Sequence, residues 1–248
     1  MKTIGIIPAR MDSYRFPGKP LALINGRPMI QHVYERASYY VGWDHLVVAT
    51  CDAEIRDFCR EQGWTVLMTS PDCPRAMDRC YEAAKGLRAD SEDIIVVVQG
   101  DEPMLTPDMI EAVIKPIGRV ITMWRVCEAT MLALPIMDEI TYLSDDTVKV
   151  VHDVRCRVLY TSRRAIPSFP LGFKPGVAKR IGGIFGFRMR MLEAFSLAQE
   201  TPLEIAESCD SNRLAELGME QICCTIPYRN YIAVDRPEDI EREERAFR

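Results

Sequence analysis

The chain has 248 residues, 48% of them hydrophobic and 27% charged, and a formal net charge of −5; it can build a sizeable core, and it lacks the broad basic surface that general nucleic-acid binding needs. Its longest apolar runs, such as IIVVV at 94–98, fall far short of a bilayer span and its start shows no cleavable export signal, so a soluble cytoplasmic protein with no membrane or nucleic-acid partner is expected. The nine cysteines form no C-x-x-C pair and read as small buried hydrophobes, and three histidines without ligand-like spacing argue further against zinc.

In chain order, TIGIIPA is a short continuous apolar run, and PMIQHVYERASYY places Met29, Ile30, Val33, Tyr34 and Ala37 at helical spacing. The pattern then repeats. HLVVAT reads as a buried strand, DAEIRDFCREQG as a helix from an Asp cap to a Gly stop, TVLMTS as a strand, AMDRCYEAAKGL as a helix and DIIVVVQGDEP as a strand. Such alternation predicts an α/β fold whose mostly parallel sheet is covered on both faces. After about residue 127, ATMLALPI, TVKVVHD and RVLYTSRR are strand-like with short connections, which predicts a mixed-sheet insertion with a hairpin around HDVRC. The stretch IPSFPLGFKPGVAKR, 166–180, is the candidate exposed loop or lid. Beyond it IGGIFGFR reads as a strand, RMLEAFSLAQ and PLEIAESCDSNRLAEL as helices, EQICCTIP and YIAVD as strands, and RPEDIEREER as the start of a terminal helix.

In parallel sheets ligands sit beyond the carboxyl ends of the strands, which singles out two sets of residues. The first is the loop PARMDSYRFPGKPL, where Arg10, Arg15 and Lys19 follow the first strand and Gly18 permits close backbone approach. A polyanion such as a triphosphate suits it, although a solvated turn whose charges pair with nearby acids is the alternative. It matches neither a phosphate-binding Walker loop nor a dinucleotide fingerprint. The second set is Asp101, at the end of IIVVVQGDEP, and Asp235, at the end of YIAVD. Two strand-end carboxylates above a basic loop suit Mg²⁺, which takes one or two carboxylates and fills its shell with phosphate oxygens and water. Asp235 could equally cap the helix that follows.

Read together, IIPARMDSYRFPGKPLALINGRPMIQHVYERA, VVQGDEPML, VKVVHD, LYTSRRAIP, RIGGIFGFR, TPLEIAES and VDRPEDIER resemble the CMP-sugar synthetase family, above all the 3-deoxy-manno-octulosonate (Kdo) cytidylyltransferases. The likeness covers nearly the whole chain. It implies a Rossmann-like nucleotidyltransferase of one domain, 1–248, with a smaller acceptor-binding and dimerisation lobe around 128–190. It also implies a homodimer that joins CMP from CTP to an acidic acceptor and releases pyrophosphate, with Mg²⁺ as cofactor, in lipopolysaccharide synthesis. Carried over by position, Pro8, Ala9, Arg10, Arg15, Lys19, Arg79 and Gln99 bind CTP; Lys19, Arg10 and Asp101 are catalytic; and Asp101 and Asp235 hold the metal. The acceptor falls to Arg163, Arg164, Ile181, Phe185, Glu204 and Asp210.

The departures from the family pattern lie on the acceptor side. Ile181 stands where the family has histidine, Phe185 and Phe187 stand where it has tyrosines, and Asp210 and Ser211 replace a Glu-Gln pair. Buried groups left unpaired are costly, so a pocket without these polar handles suits a polyhydroxylated acid less well. A phosphonate or compact keto acid is therefore the alternative acceptor, and a non-catalytic nucleotide-binding module the alternative from another class.

Overall fold

The computed structural model describes residues 1–13, 15–122, 125–231 and 233–246. In chain order the first half contains β1 (Thr3–Ala9), a 3₁₀ turn (Lys19–Leu21), the ribbon β2 (Leu23–Ile24) and β3 (Arg27–Pro28), α1 (Met29–Ser38), β4 (His45–Thr50), α2 (Ala53–Glu61), β5 (Val66–Met68), α3 (Ala76–Gly86), β6 (Ile94–Val98) and α4 (Pro107–Ile114). The second half contains β7 (Val120–Thr122), β8 (Arg125–Val126), β9 (Ala129–Pro135), α5 (Glu139–Leu143), β10 (Lys149–His152), β11 (Val158–Ser162), β12 (Lys179–Arg188), α6 (Met189–Leu197), α7 (Pro202–Glu207), α8 (Ser211–Glu216), β13 (Ile222–Thr225) and α9 (Asp239–Ala246).

One nine-stranded sheet organises these elements in the order β11-β10-β12-β6-β1-β4-β5, with β9 beside β12 and β13 beside β9. The strands β6, β1, β4 and β5 run parallel, as their continuous apolar runs imply, whereas β12 joins β6 antiparallel and carries the sheet into the second half. The lobe expected around 128–190 therefore extends the same sheet. Side chains alternate along the strands: Ile4, Ile6, Ile95 and Val97 pack under α3 and α6, while Ile7, Val96 and Val98 pack under α1, α2 and α4. Each such buried aliphatic side chain contributes about 1.5–3 kcal/mol. The cysteines are all free and six are buried, so they serve as core residues.

Strand β12 is where the sheet forks. Its first residues pair with β10, its last five with β6, and the register breaks between Ile181 and Phe185. Gly183 sits in the break at φ 63°, and its carbonyl accepts from the Gln99 amide just past β6. A Cβ at Gly183 would lie 2.0 Å from Glu102 Oε1, so this position excludes every larger residue.

Two expectations need correction. The described residues of YIAVD, 231 and 233–235, are not in a strand; Val234 instead donates its amide to the Asp101 carbonyl at 3.1 Å, which brings the two acids together without a ladder. Within the candidate loop 166–180, Arg180 lines the larger of the two clefts described below. Phe169 and Phe173 pack on Tyr142 with ring centroids 5.2 Å away, which ties the segment to α5. Finally, PLEIAESCDSNRLAEL is two short helices, broken where Ser208 adopts φ 49°.

Candidate active site

The carboxyl ends of β1 and β6 lie side by side, and Gly100 allows this: a Cβ there would approach the Pro8 carbonyl to 3.0 Å. The basic loop closes on itself through the Gly18 amide, which donates to the Met11 carbonyl at 2.9 Å with Gly18 at φ 74°. Met11 in turn donates its amide to Asp52 at the head of α2. This folding delivers Lys19 to Asp101, Nζ to Oδ2 at 2.7 Å. Arg15 bridges two acids, reaching Asp235 at 2.5 Å and Asp146 at 2.9 Å, and Arg236 reaches Asp146 from the other side at 2.8 Å. The Arg236 and Arg15 contacts hold the Asp146 carboxyl below its ordinary value.

Two clefts open on this charge cluster. One, of about 280 Å³, is lined by Pro8, Ala9, Arg10, Lys19, Arg75 and their neighbours. The other, of about 340 Å³, lies under the fork of β12 and is lined by Arg15, Glu102, Arg163, Arg180, Ile181, Phe185 and others. Gln99, Asp101 and Asp210 belong to both walls. The arrangement suits group transfer between two ligands that meet at Asp101.

Asp101 and Asp235 are also the pair that could hold a divalent cation. Asp101 Oδ1 is buried with no hydrogen-bond partner among the described residues, and burial together with the Asp101 charge raises the Asp235 carboxyl above its ordinary value. Both are hard oxygen donors. No group of three or more His, Cys, Asp or Glu among the described residues is set to hold a metal by itself, so ligand oxygens and water would complete the shell, as suits Mg²⁺.

Behind the second cleft, Lys149 is fully buried and donates to the carbonyls of Ser144, Thr147 and Arg163. Burial moves its pKa down to about 8. It fixes the cleft wall at residues 144–147 against β11. Arg163 is held by the carbonyls of Glu207, Asp145 and Ser208, at 3.1, 3.1 and 3.4 Å. The Glu207 carboxylate accepts from Tyr160, Ser162 and the Arg163 amide.

A family model described as Cytidylyltransferase matches residues 4–222, most of the chain. The chain belongs to the cytidylyltransferase family. It is a CTP-dependent nucleotidyltransferase of Rossmann-like fold. Among curated relatives, the 3-deoxy-manno-octulosonate cytidylyltransferase of Nitratidesulfovibrio vulgaris (strain Hildenborough) is 39% identical over 96% of this chain and 92% of its own. The 8-amino-3,8-dideoxy-manno-octulosonate cytidylyltransferase of Shewanella sp. (strain W3-18-1) is 38% identical over 98% and 97%. A solved structure of CMP:2-keto-3-deoxy-manno-octonic acid synthetase complexed with CTP superposes with a TM-score of 0.85 at 32% identity, covering 100% of this chain and 98% of that one.

Against this family background, the structure gathers Pro8, Ala9, Arg10, Lys19 and Gln99 in the smaller cleft, and Arg163, Ile181, Phe185, Asp210 and Asp235 in the larger. Four expected positions lie elsewhere. Arg79 is buried, with its guanidinium donating to Thr69 Oγ1 and the Ser70 carbonyl, so it braces the strand end beside the smaller cleft instead of lining it. Arg15 lies in the larger cleft between Asp146 and Asp235 and does not line the smaller one. Arg164 projects into solvent with its side chain 81% exposed and pairs with Asp145. Glu204 is fully buried and paired with Arg213, and cannot reach an acceptor.

Sequence reasoning missed Arg75, Glu102 and Tyr231, all of which line a cleft. Arg75 stands at the N-cap of α3, one turn before Arg79. Glu102 follows Asp101 directly; burial and the Asp101 charge raise its carboxyl well above its ordinary value. Arg180 donates to the Tyr231 carbonyl at 2.7 Å, so two distant segments build that wall together.

Proposed function

We propose that this enzyme transfers CMP from CTP to a 2-keto sugar acid of the Kdo type, with release of pyrophosphate, as an activation step in lipopolysaccharide synthesis. The observation that carries this reading is the pair of clefts that meet at Gln99, Asp101 and Asp210, one walled by the basic loop and the other by Arg163 and Arg180. CTP takes the smaller cleft, where Arg10 and Lys19 neutralise its phosphates. The acceptor takes the larger, its carboxylate toward Arg163 and Arg180, so that its hydroxyl faces the α-phosphorus across the shared wall. Mg²⁺ held by Asp101 and Asp235 would neutralise phosphate oxygens as charge moves to the leaving pyrophosphate.

A second reading concerns the acceptor alone. Ile181 and Phe185 both line the larger cleft, so part of its wall offers no hydrogen bond. That favours an acceptor with fewer hydroxyls than Kdo on the face it presents there. Pyrophosphate release from CTP and Mg²⁺, measured with Kdo, 8-amino-Kdo and small phosphonates against a control without acceptor, decides between them. Kdo-dependent release that disappears in chelator supports the first reading; release only with a smaller acid supports the second; release with none of them overturns both.

The enzyme is further read as a cytoplasmic homodimer. Nine unpaired cysteines favour a reducing compartment. The exposed apolar side chains Val154, Leu159 and Ile205, near the edge strand β11, favour a second copy there, and sedimentation would test it.

Lys19→Met is expected to weaken CTP binding about 10- to 100-fold, because one charge-assisted contact contributes about 1.5–3 kcal/mol. Calorimetric titration with CTP, in the presence of Mg²⁺, checks this.

A further inference from the structure

Attack by the acceptor hydroxyl requires that its proton go somewhere, and the wall shared by the two clefts is where that hydroxyl lies. Gln99, Asp101 and Asp210 make up that wall. The amide of Gln99 is not basic, and Asp101 is engaged with Lys19 and suited to a cation. None of the three histidines lines either cleft.

Asp210 differs from both. It immediately precedes α8, and its side chain makes no cap hydrogen bond to that helix. Its ion partner among the described residues is Arg75, with Nε 4.0 Å from Oδ1, too long for a hydrogen bond. Arg75 is itself held by Glu200 at 2.8 Å, by Ser208 at 3.3 Å and more loosely by Glu204 at 3.7 Å. The carboxylate is thus located but not saturated.

The charged groups around it come from every neighbouring element. Arg75 and Asp78 face it from the head of α3, Glu200 from the α6–α7 connection, Glu204 from α7 and Arg213 from α8, with Asp101 and Lys19 along the smaller cleft. Arg213 is taken up by Glu204 and Asp78. Burial pushes the Asp210 carboxyl up to about 6 despite the Arg75 charge. At neutral pH it is ionised and yet more basic than an ordinary aspartate.

We propose that Asp210 takes the proton from the acceptor hydroxyl, with Arg75 as the residue that positions it. The inference rests on the function proposed above. The acceptor oxygen forms its bond to the α-phosphorus while the bond from that phosphorus to the bridging oxygen breaks. Pyrophosphate leaves with the electron pair, and the hydroxyl proton passes to Asp210 and then to water in the open cleft. No other reactant is needed.

The test follows pyrophosphate release from CTP with Kdo and with 8-amino-Kdo over pH 5–9. In the wild-type enzyme kcat falls as pH drops through about 6, because a protonated carboxyl cannot accept a proton, and levels off above it. Asp210→Asn, which keeps the shape, should lower kcat at pH 7.5 by about 10²-fold or more, leave CTP affinity by calorimetry unchanged, and replace the plateau with a rate that climbs with hydroxide. Arg75→Met should shift the acid limb to higher pH, and Arg75→Lys should return it toward the wild-type position; a merely structural role would leave the limb in place. An Asp210→Asn enzyme that keeps the wild-type limb, or that raises only the acceptor KM, overturns the proposal alone. A wild-type enzyme inactive with both acceptors overturns it together with the proposed function.

Discussion

Asp101→Asn should lower kcat at least about 10³-fold while leaving CTP affinity close to that of the wild type. The aspartate plays two parts. Oδ2 accepts from Lys19 at 2.7 Å, and Oδ1 is buried with no hydrogen-bond partner among the described residues. An asparagine keeps the shape but offers one neutral acceptor where a cation needs a charge, so the second carboxylate, Asp235, would hold Mg²⁺ alone. Lys19, released from its ion pair, remains free to meet phosphate, and ground-state CTP binding is accordingly expected to survive. The measurement is a Mg²⁺ titration of initial rate beside calorimetry with CTP. The expected pattern is a collapsed kcat, an increased Mg²⁺ requirement and an unchanged nucleotide dissociation constant. Activity within a few fold of wild type would remove Asp101 from the metal site.

The reason Asp101 could be named from sequence while Arg75 could not lies in what a one-dimensional pattern records. A fully apolar run such as IIVVV fixes a buried strand, and in an alternating strand-helix chain the next polar residues must emerge at the ligand-bearing edge. Lys19 and Asp101 follow from that rule, Gln99 came from the family resemblance, and the structure places all three on the cleft walls. Which of two arginines one turn apart on α3 faces the ligand is a different question. Arg75 lines the cleft and Arg79 supports the strand behind it, and only the packing of α3 on β1 distinguishes them.

The same limit applies to acids. Glu204 and Asp210 stand six positions apart in a stretch that read as helical, and the left-handed Ser208 between them turns one into the core and the other to the cleft. The described residues of YIAVD show the converse: they join no ladder, and the Val234 amide meets the Asp101 carbonyl instead. Arg15 belongs to the basic loop after β1, but Asp146, 131 residues away in sequence, holds it at the wall of the larger cleft. In each case the missing information was a contact between distant segments.

Glu204 leads to the largest expected loss of stability. Arg213→Met should destabilise the protein by about 3–5 kcal/mol, because a buried carboxylate would be left without its partner. Arg213 is 1% exposed and Glu204 fully buried; Nε and Nη2 of the arginine meet the two carboxylate oxygens at 2.7 and 2.6 Å, and Nη1 donates to the Phe195 carbonyl at 3.1 Å. The guanidinium also lies 4.0 Å from the centroid of the Phe195 ring. At this chain length the loss corresponds to a fall in Tm of roughly 6–20 °C, readable by calorimetry. If the penalty arises from the stranded charge and not from lost volume, removing the charge as well should recover part of it. The double variant Arg213→Met/Glu204→Leu is therefore expected to be more stable than Arg213→Met alone, short of wild type by the Thr201 capping contact, about 1 kcal/mol. Because α7 and α8 carry Ser208 and Asp210 into the acceptor cleft, the single variant should also raise the acceptor KM more than the CTP KM. A double variant no more stable than the single one would mean that Arg213 contributes mainly through its packing on Phe195.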